Sequence, residues 1–243
     1  MQQNSQPLGV YSNIEIRQAI ADEHIVCVPY NEKYVSEASL DLTLGHYYYK
    51  TEQSSSKLTY NPFDAEDVER YFDGPYQAMP HKAWCKLNGF SLFKGIPEDH
   101  PIIVLKPHER ILAHTHEFVG IRPPGAWDLK SRSSWARNGV AVCFDAGWID
   151  PGYINRVTLE IFNLNEEVMI VLPVGERICQ GVFHNTGPVD GDYGLARDGG
   201  FSGKYQQGND LQTIIRTWTP DQMLPKAFRD IREMPPKIDG VDL

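Results

Sequence analysis

Val157-Thr-Leu-Glu-Ile-Phe-Asn-Leu-Asn-Glu166 decides the fold class. Its first seven residues alternate: Val157, Leu159 and Ile161 share one face of an extended chain, and Thr158, Glu160 and Phe162 share the other. β-Branched and aromatic residues at that period make a strand, and Asn163-Leu-Asn-Glu166 is turn chemistry that stops it. Downstream, Val168–Leu172 and Arg177–His184 read as further strands. Upstream, Val140–Phe144 precedes a second turn, Asp150-Pro-Gly152. Further out, strands are expected over Ile102–Leu105, Arg110–His114 and Glu117–Ile121, with Arg122-Pro-Pro-Gly125 as a loop. Many short strands with turns between them predict a β-barrel or jelly roll with few helices.

The N-terminal part fits the same plan. Residues 1–8 read as a flexible tail. Ser12-Asn-Ile-Glu15 is a capping box opening a helix of about 10 residues through Ile16 and Ile20. Ile25–Pro29 reads as a strand, and Leu40, Leu42 and Leu44 alternate to one face, with the sheet continuing through His46–Lys50. Residues 51–100 are polar, with scattered Pro and Gly, and read as an insertion with a short helix near Ala65–Tyr71. Ser133–Asn138 forms one or two helical turns stopped by Gly139. After Asn185 the chain turns polar and Gly-rich. Residues 9–208 make one domain, and 209–243 an extension on its surface.

Composition excludes several function classes. The 243 residues carry 23 Lys and Arg against 32 Asp and Glu, a net charge of −9, which argues against a broad surface for nucleic acid. A local cation cluster still suffices for a small anion. Four scattered cysteines form no CxxC pair, so neither zinc nor redox chemistry is signalled, and they suit a reducing cytoplasm. The start is polar and predicts no secretory leader, and the longest apolar run, Val168–Leu172, is too short to span a membrane.

Three clusters could carry chemistry. In Lys130-Ser-Arg-Ser-Ser-Trp-Ala-Arg137 a short helix would aim free N–H groups at an anion, with Arg132 adding a charged fork. Ser133 and Arg137 stand one turn apart on one face. Spacing alone favours an ordinary surface helix. Glu160 stands amid β-branched and aromatic neighbours, where burial would raise its pKa and suit it to proton transfer. Taken singly, it fits a solvent-facing strand position better. His114-Thr-His116 places two imidazoles on one side of a strand, which reads more readily as a polar face than as a metal site. The H-x-E and P-C-x-x-C pattern of zinc deaminases, the P-loop and the G-x-S-x-G elbow are missing from the sequence.

Taken together, several segments in order resemble the dCTP deaminase family of the dUTPase-like superfamily. These are Ser36–Gly45, Leu112-Ala-His-Thr-His-Glu117, Arg132-Ser-Ser-Trp-Ala-Arg137, Ala146-Gly-Trp-Ile-Asp-Pro-Gly152, Thr158-Leu-Glu160, Gly175–Gln180 and Lys204-Tyr-Gln206. The resemblance covers roughly residues 9–208. It implies a distorted, jelly-roll-like β-barrel, a homotrimer with active sites shared between subunits, and zinc-free conversion of dCTP and water to dUTP and ammonia. Glu160 would be the acid/base. Ser133 and the Ala146 carbonyl would position water, and Arg137 would offset the carboxylate's charge. Arg132 and Ser134 would bind phosphate, Asp150 the sugar 3′-hydroxyl, and Trp135, Ala136, Thr158 and Leu159 would belong to the substrate site. Tyr193, Lys204 and Gln207 would close over the triphosphate with its Mg²⁺. dTTP is the feedback inhibitor such an enzyme would answer to.

The resemblance leaves rivals. An Asp at position 150 suits water activation at the α-phosphate, so a bifunctional deaminase–diphosphatase releasing dUMP, or a plain dUTP diphosphatase, stays open. So does a non-catalytic nucleotide-binding regulator, since Cys143 and Asp145 replace the family's common His and Thr before the motif Ala.

Overall fold

The computed structural model describes residues 9–51, 59–195, 203–206 and 208–230. The expected tail, residues 1–8, lies outside the described residues. The first helix, α1 (Asn13–Ala21), starts at the capping box: Ser12 N donates to Glu15 Oε2 at 2.7 Å, and Glu15 N donates to Ser12 Oγ at 3.4 Å. Three strands follow, β1 (Ile25–Val28), β2 (Leu40–Thr43) and β3 (Tyr47–Thr51). Next come α2 (Ala65–Tyr71), β4 (Phe72–Gln77), β5 (Met79–Pro80) and α3 (His81–Asn88). The centre of the chain supplies β6 (Pro101–Leu105), β7 (Arg110–Ile121), β8 (Ala126–Ser131), α4 (Ser133–Arg137), β9 (Val140–Ala141) and β10 (Trp148–Ile149). The last elements are β11 (Ile154–Asn163), β12 (Ile170–Pro173), β13 (Arg177–His184) and α5 (Leu211–Thr217).

The strands form three sheets. One runs β4-β3-β7-β11-β9 with β1 added on β7; the others run β10-β8-β13-β2 and β12-β6-β5. All three contribute to one apolar core, including Leu42, Leu105, Ile111, Trp127, Leu159, Leu172 and Phe183. Trp127 and Phe183 stack at its centre, ring centroids 5.4 Å apart. The fold is therefore mainly β with a few short helices. Among the described residues the sheets wrap the core without joining into one closed hydrogen-bonded ring.

Two departures from the sequence expectations bear on the site. Arg110–His114 and Glu117–Ile121 are one continuous strand, β7, because the intervening Thr115 is useful inside the sheet. Its hydroxyl donates to Glu117 O at 2.8 Å and accepts from Val157 N at 2.9 Å, where the β7–β11 register shifts between Arg156 and Thr158. Residues 59–88 hold more structure than a polar composition suggests. β4 pairs with β3 and β5 with β6, and Val68 and Phe72 join Tyr49, Leu112 and Met223 in a second, smaller core. That core ties the segment to the C-terminal residues. Trp218 adds to this by packing 4.7 Å from the His114 ring, with the Arg156 guanidinium 4.6 Å from its own ring.

Candidate active site

β11 is buried on alternate residues. Val157, Leu159 and Ile161 lie in the core, and Thr158, Glu160 and Phe162 occupy the half-buried opposite face. Thr158 and Glu160 line a cavity of about 520 Å³. Ala146, Asp150 and Tyr193 line it as well, so five of the residues expected at the site share one space. Its other walls are largely apolar or aromatic, with Tyr60, Phe72, Tyr205, Met223 and Pro225 among them.

Glu160 pairs in register with Leu112 of β7, and Arg110 stands two residues earlier, on the same face of that strand. Burial pushes the Glu160 carboxyl up to about 7; its own backbone N–H and, beyond that, the Arg110 guanidinium pull the other way. Arg110 is the one Lys, Arg or His lining this cavity among the described residues. Its Nη2 donates to Tyr71 OH at 3.4 Å, and Tyr71 stacks on Tyr60 with centroids 4.4 Å apart. A carboxyl poised near neutrality, with one cation beside it, can both take and return a proton at physiological pH.

The Ala146–Asp150 segment is fixed from behind. Leu129 N donates to Gly147 O at 2.7 Å, and a Cβ at residue 147 would sit 2.3 Å from Leu129 O, so this close approach requires glycine. Ala146 N donates to Cys143 O at 2.7 Å, closing a turn in which Phe144 and Asp145 take φ of 39° and 67°. Asp145 is exposed and does not line the cavity, and burial raises the Cys143 thiol. Trp148 Nε1 donates to Asp150 Oδ1 at 3.3 Å.

Tyr193 packs edge-on to Tyr153 at 5.1 Å. Gln206, the last residue of the Lys204-Tyr-Gln206 motif and given no role of its own from the sequence, anchors the segment that follows. It is buried, accepts from Ile154 N at 2.6 Å and donates to Gly152 O at 3.0 Å. Gln207 lies outside the described residues. Lys204 is not in the main cavity; it pairs with Asp230 at 2.7 Å.

The remaining expected residues stand apart from the cavity. Ser133, Ser134, Ala136 and Arg137 are exposed on α4, and none lines it. Trp135 Nε1 donates to Arg177 O at 3.0 Å. The Arg132 guanidinium bonds the buried carboxylate of Asp41, which also accepts from Arg177 Nη1 at 3.1 Å. Leu159 points into the core. His114 is fully buried, bonded through Nδ1 to Thr115 O at 2.8 Å, and accepts from Tyr47 N at 3.2 Å. Burial lowers it to about 3, so it is a neutral structural ring. Among the described residues no three His, Cys, Asp or Glu side chains are grouped to hold a metal ion, and no helix is long and apolar enough to cross a membrane.

Arg110, Tyr60, Phe72, Tyr205, Met223 and Pro225 were not foreseen. One signal was available: Arg110 opens an otherwise apolar strand. The others come from segments brought together by tertiary packing.

Comparison with known proteins gives the family and the fold. The family model described as dCTP deaminase-like matches residues 10–186. A Methanopyrus kandleri protein named dCTP deaminase, dUMP-forming, is 32% identical over 205 residues, covering 82% of this chain and 91% of its own. A Methanosphaera stadtmanae protein of the same name is 31% identical over 189 residues, covering 77% and 85%. The crystal structure of 2′-deoxycytidine 5′-triphosphate deaminase from Agrobacterium tumefaciens shares the fold, with a TM-score of 0.50 at 19% identity. That match covers 73% of this chain, and this chain spans about half (48%) of that structure's length. The chain belongs to the dCTP deaminase-like family.

Proposed function

We propose that this chain deaminates dCTP hydrolytically at C4 of the cytosine. The observation that carries the reading is Glu160, raised to about 7 by burial, in a cavity it shares with Ala146 and Asp150. Ionised Glu160 takes a proton from a water as its oxygen bonds to C4, and delivers that proton to N3. The second water proton is passed by the same carboxyl to the amino nitrogen. The C4–N bond then breaks, releasing ammonia and leaving dUTP. Both water protons are accounted for, one on N3 and one in ammonia. The Ala146 carbonyl orients the water, and Thr158 and Asp150 bind the nucleoside.

Ser133 and Arg137 enter this reading from a second copy of the chain. They are exposed on α4 and outside their own chain's cavity, which is the disposition a shared site in a homotrimer requires. Mg²⁺ is held by the phosphates of the nucleotide, whose charge it neutralises. The reaction is zinc-independent, in keeping with a sequence that lacks the zinc-deaminase motif. The free thiols suit a cytoplasmic setting, and dTTP is the inhibitor to test.

A second reading has specific support. Asp150 lines the same cavity as Glu160, and the two relatives above are named dUMP-forming. A bifunctional chain would go on to hydrolyse the α–β phosphate bond and release dUMP and pyrophosphate. Incubating the protein with dCTP and Mg²⁺, then resolving ammonia, dUTP, dUMP and pyrophosphate, tests both. Ammonia with dUTP supports deamination alone, and ammonia with dUMP the bifunctional reading. No ammonia overturns both.

A further inference from the structure

The main cavity poses a problem of charge. From its own chain it holds the carboxyls of Glu160 and Asp150 but one cation, Arg110, and even with a neighbour's Arg137 that leaves most of a triphosphate's charge unmet by the protein. Arg132 is already committed to Asp41. A second cavity, of about 200 Å³, adjoins the first through Tyr205, which lines both. Its walls include three cations, Lys204, Lys226 and Arg229. With one carboxylate, Asp221, in the same wall, the lining still carries a net positive charge in a chain of net charge −9.

The cations converge. The Lys226 ammonium lies 5.3 Å from the Tyr205 ring centroid, and that of Lys204 lies 6.0 Å from the same centroid. Lys226 N donates to Tyr205 OH at 3.1 Å, which fixes the two segments together. Lys204 pairs with Asp230, whereas Lys226 and Arg229 form no ion pair among the described residues. Burial lowers the pKa of the Lys226 ammonium, and Arg229 lowers it further, while Asp221 opposes both. Lys204 and Lys226 are half-buried and Arg229 is exposed at the rim, and like charges so placed are stabilised by an anion that binds between them.

We propose that Lys226 and Arg229, from the C-terminal segment, join Lys204 to form the subsite for the outer phosphates of the nucleotide. The inference rests on the nucleotide reading above. It adds two phosphate-binding residues that lie beyond the stretch matched by the family model, residues 10–186. The base and sugar lie on the Glu160 side of Tyr205, and the phosphates pass to its other side. Lys204 exchanges its bond to Asp230 for one to phosphate, so little charge-assisted bonding is lost on binding.

The test is the double variant Lys226→Gln, Arg229→Gln. It should raise KM for dCTP about 10–100-fold with kcat nearly unchanged, as expected for lost charge-assisted phosphate contacts. KM for dCMP, which lacks the outer phosphates, should not move. Lys226→Arg, which keeps the charge, should keep most of the wild-type affinity. An unchanged KM for dCTP, or an equal loss for dCTP and dCMP, would overturn the subsite. Tripolyphosphate binding, read by calorimetry, is independent of turnover: wild type should bind it and each single Gln variant should bind it less. Equal binding by wild type and variants, or none by either, overturns the proposal. Tripolyphosphate binding without any ammonia from dCTP would sink the deaminase reading and leave the anion site standing.

Discussion

β11 and α4 carry the two densest clusters of reactive side chains, and the fold treats them in opposite ways. β11 presents Thr158 and Glu160 to a cavity closed by several other parts of its own chain. α4 presents Ser133, Ser134 and Arg137 to the outside. A strand in the middle of a sheet is held by neighbours on both sides, so one face can be desolvated and the pKa of a carboxyl there moved. A five-residue helix has too few turns to bury a face, and its reactive groups become useful when another surface meets them. On the proposed reading, Glu160 and the Ala146 carbonyl thus share a cavity within one chain, and Ser133 and Arg137 are left for a neighbour to use.

The harshest test of the β11 half is Glu160→Gln, which keeps the shape and removes the base. General acid–base catalysis is worth about 10²–10⁴-fold, and ammonia release should fall by at least that while dCTP still binds. A variant with more than about a tenth of wild-type turnover would remove Glu160 from this role.

The comparison itself is tested by mixing two inactive proteins. Glu160→Gln keeps an intact α4, and Arg137→Ala keeps an intact β11. If sites are shared between subunits, unfolding and refolding them together at equal ratio should restore about a quarter of wild-type activity, the fraction of interfaces pairing two intact halves. Mixtures as inactive as their parents would place both halves in one chain.

How much of this was legible in the sequence follows the same division. Glu160 taken singly read as solvent-facing and was singled out through the family resemblance, whereas the alternation of Val157–Phe162 named the strand and its buried face, because a period of two needs only adjacent residues to be read. The Ser12–Glu15 capping box was legible for the same reason. β8 and β10 were not read, although both pair in the central architecture, as Trp127 and Leu129 lie among charged neighbours and Trp148 in turn chemistry. The cavity's far wall was beyond local reasoning. Tyr60, Phe72 and Met223 are distant in sequence and meet through the second core. For Ser133 and Arg137 the spacing alone pointed to an exposed surface helix, as found, and their chemistry entered through the family resemblance.

A subtler probe asks what Arg110 does for Glu160. Arg110→Met removes the cation and leaves burial in place, so the carboxyl should titrate above its present value of about 7. The ionised form is the base, so kcat/KM rises with pH through this pKa. The acid limb of the variant's profile should therefore move to higher pH, with the plateau less affected. An unmoved limb would mean that the guanidinium is held by Tyr71 without acting on Glu160.

The smallest effect expected is on stability, and its sign follows from the direction of the Glu160 shift. The carboxyl titrates near 4.5 when unfolded and about 7 when folded. Between those values the native state binds the extra proton, so Glu160 lowers stability progressively as pH rises through that window. Below 4.5 both states hold the proton, and the cost vanishes. Glu160→Gln carries no titrating group, so it should match wild type in Tm at pH 4.5 and exceed it at pH 8. A shift of this size is worth about 3 kcal/mol, and for a domain of this size the gain should be on the order of 10 °C. A neighbour's Arg137 placed beside Glu160 would shrink that gain. Measuring it at protein concentrations above and below oligomer dissociation therefore reads the α4 contribution without any catalysis: a larger gain in the dissociated chain supports a shared site, and an equal gain argues that no cation arrives from a partner.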